Sequence, residues 1–178
     1  MSLAEIKKLR EMTSLGINEC KKALAESAGD FDKALKVLKS KGAQVLAKKS
    51  SRSTGQGLIE SYIHFGGNLG ALVEVNCETD FVARTDVFKK FVKDIAMQIV
   101  AASPSHIKRE DIAQDVLNEV KNPDEYCKQA CLLEQPFIKD NKMTMSDYLK
   151  SVVSQSGENI VVRRFVRFAV GEDYESSI

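Results

Sequence analysis

At 178 residues, 43% hydrophobic and 29% charged, the chain has the length of one domain plus a small second one and the composition of an ordinary globular protein. No stretch approaches the ~20 consecutive apolar residues that span a bilayer. The charged segment Met1–Arg10 lacks the apolar core of a signal peptide, so a reducing, cytosol-like compartment and no membrane partner are expected. The net charge of +1 conceals an asymmetry: residues 1–52 hold 12 Lys/Arg against 6 Asp/Glu, and residues 53–178 hold 14 against 19. A basic module on an acidic body points to an acidic partner protein or to nucleic acid. The lysines are spread around helices rather than interleaved with aromatics, so a solvated surface is favoured and no direct nucleic-acid contact is expected.

The first 42 residues read as three short helices. Leu3, Ile6, Leu9 and Met12 form one apolar stripe, broken at Thr13-Ser14-Leu15-Gly16. Ile17, Cys20, Ala23 and Leu24 form a second, ended at Gly29, with Asp30 placed to cap the third. Phe31, Ala34, Leu35 and Leu38 form that third stripe, closed by Gly42. The pattern resembles a ubiquitin-associated-type three-helix module, which binds partners through apolar loop residues. Leu15 and Ile17 are the candidates here, with burial inside the bundle as the competing reading. Ala43–Lys49 is predicted to add a short helix, and the polar stretch Ser50–Gly57 a linker. Two domains follow, 1–52 and 53–178.

The second unit opens as a hairpin. Leu58–Phe65 is rich in strand formers, Gly66-Gly67-Asn68-Leu69-Gly70 turns the chain, and Ala71–Cys77 returns. The glycines join two strands and lack a Gly-Lys-Ser/Thr ending, so they are no phosphate loop. A helix is predicted next, with Phe88, Phe91, Val92, Ile95, Ile99 and Val100 on its apolar side, stopped at Pro104. Residues 105–135 look helical, with a break near Asn122-Pro123. Gln135–Ile138 reads as extended, Met145–Gln155 as a helix ended by Gly157, and Ile160–Val170 as a long strand. Simple alternation sends Ile160, Val162, Val166, Phe168 and Val170 to one face of that strand, and Arg163, Phe165 and Arg167 to the other. The fold class is α+β: a three-stranded antiparallel sheet covered on one face by helices. Its second face, expected to carry Phe165 with Tyr62 or Phe65, is left for a partner or a second copy. The tail Gly171–Ile178 is acidic and expected to fray.

Catalytic chemistry finds little support. The chain has two histidines, no His-Glu-x-x-His, no Walker sequence and no dinucleotide fingerprint. Cys127 and Cys131 share a helix face but lack His64 or His106 at ligand spacing, so buried thiols are expected rather than a metal site. No cofactor is predicted. The alternatives to an interaction protein are an enzyme using the acids Glu74, Glu78 and Asp80, and a module reading ubiquitin-like or RNA partners.

The most specific segment is Glu74-Val75-Asn76-Cys77-Glu78-Thr79-Asp80-Phe81-Val82-Ala83-Arg84. It reads as a strand that ends in a polar corner, with one aromatic just beyond the break. From pattern alone Phe81 either packs beneath its own helix or projects as a wedge. Together with Met12-Thr13, Leu15-Gly16, Cys20-Lys21-Lys22-Ala23-Leu24, Gln135-Pro136-Phe137 and Arg167-Phe168-Ala169-Val170-Gly171, this run resembles the elongation factor Ts family. The resemblance implies a guanine nucleotide exchange factor that binds elongation factor Tu holding GDP. Asp80, Phe81, Val82 and Ala83 would enter beside the nucleotide and dislodge Mg2+. The N-terminal module, through Met12, Thr13, Leu15, Gly16 and Ile17, would dock on the same partner. No covalent chemistry is implied. Long family members carry two related core subdomains; this chain has one, so a homodimer in a 2:2 complex is expected, in bacterial cytoplasm or an organelle matrix.

Overall fold

A computed structural model describes residues 2–13 and 15–172, with residues 39 and 41–48 described by their backbone only. Ser14 in the first predicted break, the side chains around Gly42 and the tail beyond Glu172 therefore lie outside the described side chains. Three helices open the chain, α1 (Leu3–Thr13), α2 (Ile17–Glu26) and α3 (Phe31–Lys49). Ile6, Leu9, Cys20, Ala23, Leu24, Ala34 and Leu38 converge in one small core. The Asp30 carboxylate accepts from the Lys33 amide at 3.0 Å and caps α3. Gly42 does not stop α3, which continues to Lys49; a helical glycine costs only about 1 kcal/mol, and no capping turn is placed there to end the run.

The main sheet is built from β1 (Gln56–Ile63), β2 (Leu69–Cys77) and β5 (Ile160–Ala169) in the order β1-β2-β5, antiparallel throughout. Gly66 and Gly67 hold φ of 98° and 73° in the β1–β2 turn, a left-handed path that side-chain-bearing residues resist. After β2 come a short helix α4 (Asp80–Ala83) and the long helix α5 (Asp86–Ala102). All six predicted apolar positions of α5 are buried against the sheet, together with Val73, Val75, Ile160 and Val162. Ser103 turns left-handed at the α5 C-terminus, immediately before Pro104.

The predicted helical stretch 105–135 is more broken than periodicity suggests. It holds α6 (Gln114–Glu119) and α7 (Pro123–Ala130), flanked by single 3-10 turns. The Asn122-Pro123 break is where α7 begins, the Asn122 side chain accepting from the Glu125 amide at 3.2 Å. A small hairpin, β3 (Pro136–Phe137) with β4 (Asp140–Thr144), leads into α8 (Met145–Ser156). Gly157 caps α8 in the left-handed conformation and hands the chain to β5.

One strand face differs from expectation. The β2–β5 register slips between Glu74 and Val75: Val75 pairs with Val162, yet Glu74 pairs with Arg164, leaving Arg163 as the extra residue of a bulge. The bulge reverses the alternation. Ile160 and Val162 before it, and Phe165 and Arg167 after it, all share the inner face. Phe165 consequently packs on the core, and Tyr62, opposite buried Ala71 in the unbroken β1–β2 register, packs there as well, so neither covers the second face. That outer face carries Ile59, Ile63, Leu72, Val166 and Phe168, all exposed. Phe65 sits in the turn beyond the end of β1, almost fully exposed.

Candidate functional site

The corner between β2 and α4 is assembled from the strand end upward. Cys77 is the last paired residue of β2, opposite Ile160. Its buried thiol contacts the Thr79 carbonyl at 3.1 Å. Burial, then the negative charge of Glu158, pushes that thiol above its ordinary pKa. Thr79, in extended backbone, is the N-cap of α4, its hydroxyl accepting from the Val82 amide at 3.4 Å. Four residues of helix then face two ways. Ala83 is buried and Val82 packs on the core, which fixes the inner side. On the outer side Phe81 is 78% exposed. Asp80 lies beside it and pairs with Arg84 at 2.8 Å.

Phe81 therefore does not pack beneath its own helix. Buried Ala83 and half-buried Val82 anchor a bare phenyl ring with a half-exposed carboxylate at its flank. An exposed aromatic on a fixed backbone is a shape suited to insertion into a partner.

Behind the corner, two carboxylates are exchanged between β2's end and the start of β5. Glu158 accepts from the Glu78 and Thr79 amides at 3.1 and 3.0 Å and from the Thr79 hydroxyl at 2.6 Å. In return, Glu78 accepts from the Asn159 amide at 2.6 Å and is paired with Arg52 at 3.4 Å. The Asn159 bond, then Arg52, hold the Glu78 carboxyl below its usual range. The buried Asn159 side chain bonds the Arg52 carbonyl at 3.0 Å, so the linker reaches the same junction. Glu158 and Asn159 went unnoticed in the sequence. The only signal for them is strand register, which brings residue 158 beside residue 79.

The N-terminal candidates form a second group. Met12 and Ile17 are 51% and 54% exposed, flanking the α1–α2 turn. Leu15 packs partly on the three-helix core, so of the two loop candidates Ile17 is the open one. Gly16 is an exposed extended N-cap, and Thr13 turns its hydroxyl onto the Leu9 carbonyl at 2.7 Å. Cys127 and Cys131 do meet a third donor, Glu134, with ligand atoms within 4.8 Å of one another. Both thiols are buried beside Ile112, Leu117 and Tyr126. Arg109 engages Glu134 at 3.4 Å and Asp124 at 2.6 Å. Burial, then Cys127 and Glu134, raises the Cys131 pKa to about 12, which favours the protonated form of that thiol. Among the described residues no helix is long and apolar enough to cross a membrane.

Against known proteins, the family model described as Elongation factor TS matches residues 6–124 and 122–172. The chain is 49% identical over 193 residues to Elongation factor Ts of Anaeromyxobacter sp. (strain Fw109-5), covering 96% of this chain and 88% of that one. It is 47% identical over 200 residues to Elongation factor Ts of Thermoanaerobacter sp. (strain X514), covering 99% and 98%. Elongation factor Ts of Carboxydothermus hydrogenoformans is 47% identical over 190 residues, covering 94% and 88%.

Proposed function

The chain belongs to the elongation factor Ts family, a translation elongation factor, and from that premise we propose that it is the guanine nucleotide exchange factor of elongation factor Tu. It binds the GDP-bound partner, and Asp80-Phe81 enters beside the nucleotide and loosens Mg2+. The observation that carries this reading is the exposure of Phe81 on a corner whose backbone is held at both ends. Mg2+ and phosphate contacts hold a guanine nucleotide through ordered loops, and a fixed ring inserted beside them displaces what it meets. Val82 and Ala83 serve from beneath by anchoring the ring's helix. Met12, Thr13, Gly16 and Ile17, with Leu15 supporting them, form a second docking surface on a ubiquitin-associated-like module spanning residues 1–52, with 53–178 as the core unit. The separate apolar cores of the two segments support that division.

No covalent bond is made or broken, so neither an active site nor a cofactor is required. The effect is reciprocal: whatever factor weakens GDP binding equally weakens this protein's hold on the GDP-bound partner. Two copies joined through the apolar outer sheet face give a 2:2 complex. The setting is wherever the ribosome works, the bacterial cytoplasm or an organelle matrix. Release of a fluorescent GDP analogue from elongation factor Tu tests the proposal. Strong acceleration by catalytic amounts of this protein is the expected result, and none, from correctly folded protein, refutes it.

A further inference from the structure

We infer that Glu158 is the positioning residue that aims the Phe81 corner, an inference that rests on the exchange reading above. The amides of Glu78 and Thr79 lie between the last sheet pair of β2 and the first turn of α4. Neither the sheet ladder nor the helix supplies them an acceptor. Both amides donate to one oxygen of the Glu158 carboxylate, and the Thr79 hydroxyl donates to the other. Three charge-assisted bonds on two residues fix the backbone direction at the point where the strand becomes the helix.

The hydroxyl bond has a further effect. With its proton committed to Glu158, the Thr79 oxygen turns a lone pair to the Val82 amide, so the carboxylate also sets the cap of α4. Phe81 is 78% exposed, so its own side chain does little to hold it and its direction comes from this backbone. Glu158 is itself held: its amide donates to the Ser156 hydroxyl at 3.3 Å, and the next amide, of Asn159, donates to Glu78. The sheet, α5 and α8 close their core without Glu158. Its loss is therefore felt at the corner more than in the fold. In Glu158→Gln one oxygen still accepts from the two amides, but the bonds lose the carboxylate's charge, and the other oxygen becomes an NH2 that only donates, so the Thr79 hydroxyl loses the acceptor for its proton.

The test uses the full chain as Glu158→Gln, Phe81→Ala and the double variant. GDP release from elongation factor Tu is measured across factor concentrations, with amide hydrogen exchange at Glu78, Thr79 and Val82 and thermal unfolding alongside. Glu158→Gln should lower the saturating release rate about tenfold, the order of one lost charge-assisted bond. The half-saturating concentration should move less, and exchange at the Glu78 and Thr79 amides should speed up. The double variant should be no slower than Phe81→Ala alone, because both act through the same ring. An unchanged saturating rate in Glu158→Gln, or losses that multiply in the double variant, overturns the inference while leaving the exchange function standing. No acceleration by the unaltered protein overturns both. Should Glu158→Gln fail to fold, Thr79→Ser against Thr79→Val decides: retention of the rate by serine and loss by valine supports the link, and equal rates overturn it.

Discussion

Truncating Phe81 to alanine separates what an exposed ring does for the fold from what it does for a partner. The ring is 78% exposed, so its removal leaves no cavity, and unfolding free energy should change by less than about 0.5 kcal/mol. Burying a whole phenyl side chain is worth about 1.5–3 kcal/mol. Since 78% of this one is available to a partner, insertion recovers about 1–2 kcal/mol. If that contact forms chiefly as the nucleotide leaves, its loss slows GDP release about 5- to 30-fold. Stopped-flow release of a fluorescent GDP analogue reads the second quantity and urea unfolding the first. Phe88→Ala is the contrast. That ring is fully buried, and its truncation should cost about 3–5 kcal/mol of stability. Release by Phe81→Ala as fast as by the unaltered protein would refute the wedge. A stability loss comparable with that of Phe88→Ala would refute the exposure on which the reasoning stands.

Four other outcomes follow from the same geometry. Phe168→Asp places a charge on the outer sheet face, so the 19.7 kDa chain should sediment as a dimer unaltered and as a monomer with the substitution; a monomer in both cases at micromolar concentration removes the dimer. Tyr148→Phe deletes the hydroxyl that donates to buried Asp94 at 3.0 Å, leaving Lys139 at 2.6 Å as its side-chain donor among the described residues, and should cost about 1–2 kcal/mol in urea unfolding; no measurable cost would show the carboxylate is satisfied without it. Burial, then Cys127 and Glu134, lifts Cys131 from 9.0 to about 12, so the unfolded chain releases a proton that the folded one retains between those values. Its contribution is intact below pH 9 and lost as pH rises toward 12; the urea midpoint should fall with alkaline pH less steeply in Cys131→Ala, and equal slopes would contradict this. A methyl at Gly57 would be driven into the Val75 carbonyl oxygen and lie 2.8 Å from the Asn76 Cα, so Gly57→Ala should cost about 3 kcal/mol, and an unchanged unfolding midpoint would contradict that crowding.

Much of the fold was legible because its elements carry strong periods. The apolar side of α5 reads directly from spacing, and the glycine-rich turn named the hairpin. The error on β5 has a definite source. Period-2 reasoning assumes an unbroken ladder, and one unpaired residue at Arg163 inverts every face assignment after it. An arginine in a run of valines carries no mark of a bulge. Strand β4 went unseen because its residues are mostly exposed and polar, held by pairing with β3 rather than by an apolar alternation.

The candidate site shows the same limit more sharply. Its tip was legible: a strand former run, a capping threonine and an aromatic after the break. What spacing does not decide is whether that aromatic turns inward or outward, since a helix of four residues has no periodicity to read. Here the choice is made by Val82 and Ala83, which occupy the inner side and leave Phe81 the outer one. The support behind the tip was not legible, because Glu158 lies 79 residues from Thr79 along the chain and resembles any solvated glutamate after a glycine cap. Pairing Cys77 with Ile160 converts that separation into three short bonds. The register of one strand pair, more than any local motif, therefore determines how firmly the exposed ring is aimed. Disturbing that register should damage exchange even where every residue of the tip is retained.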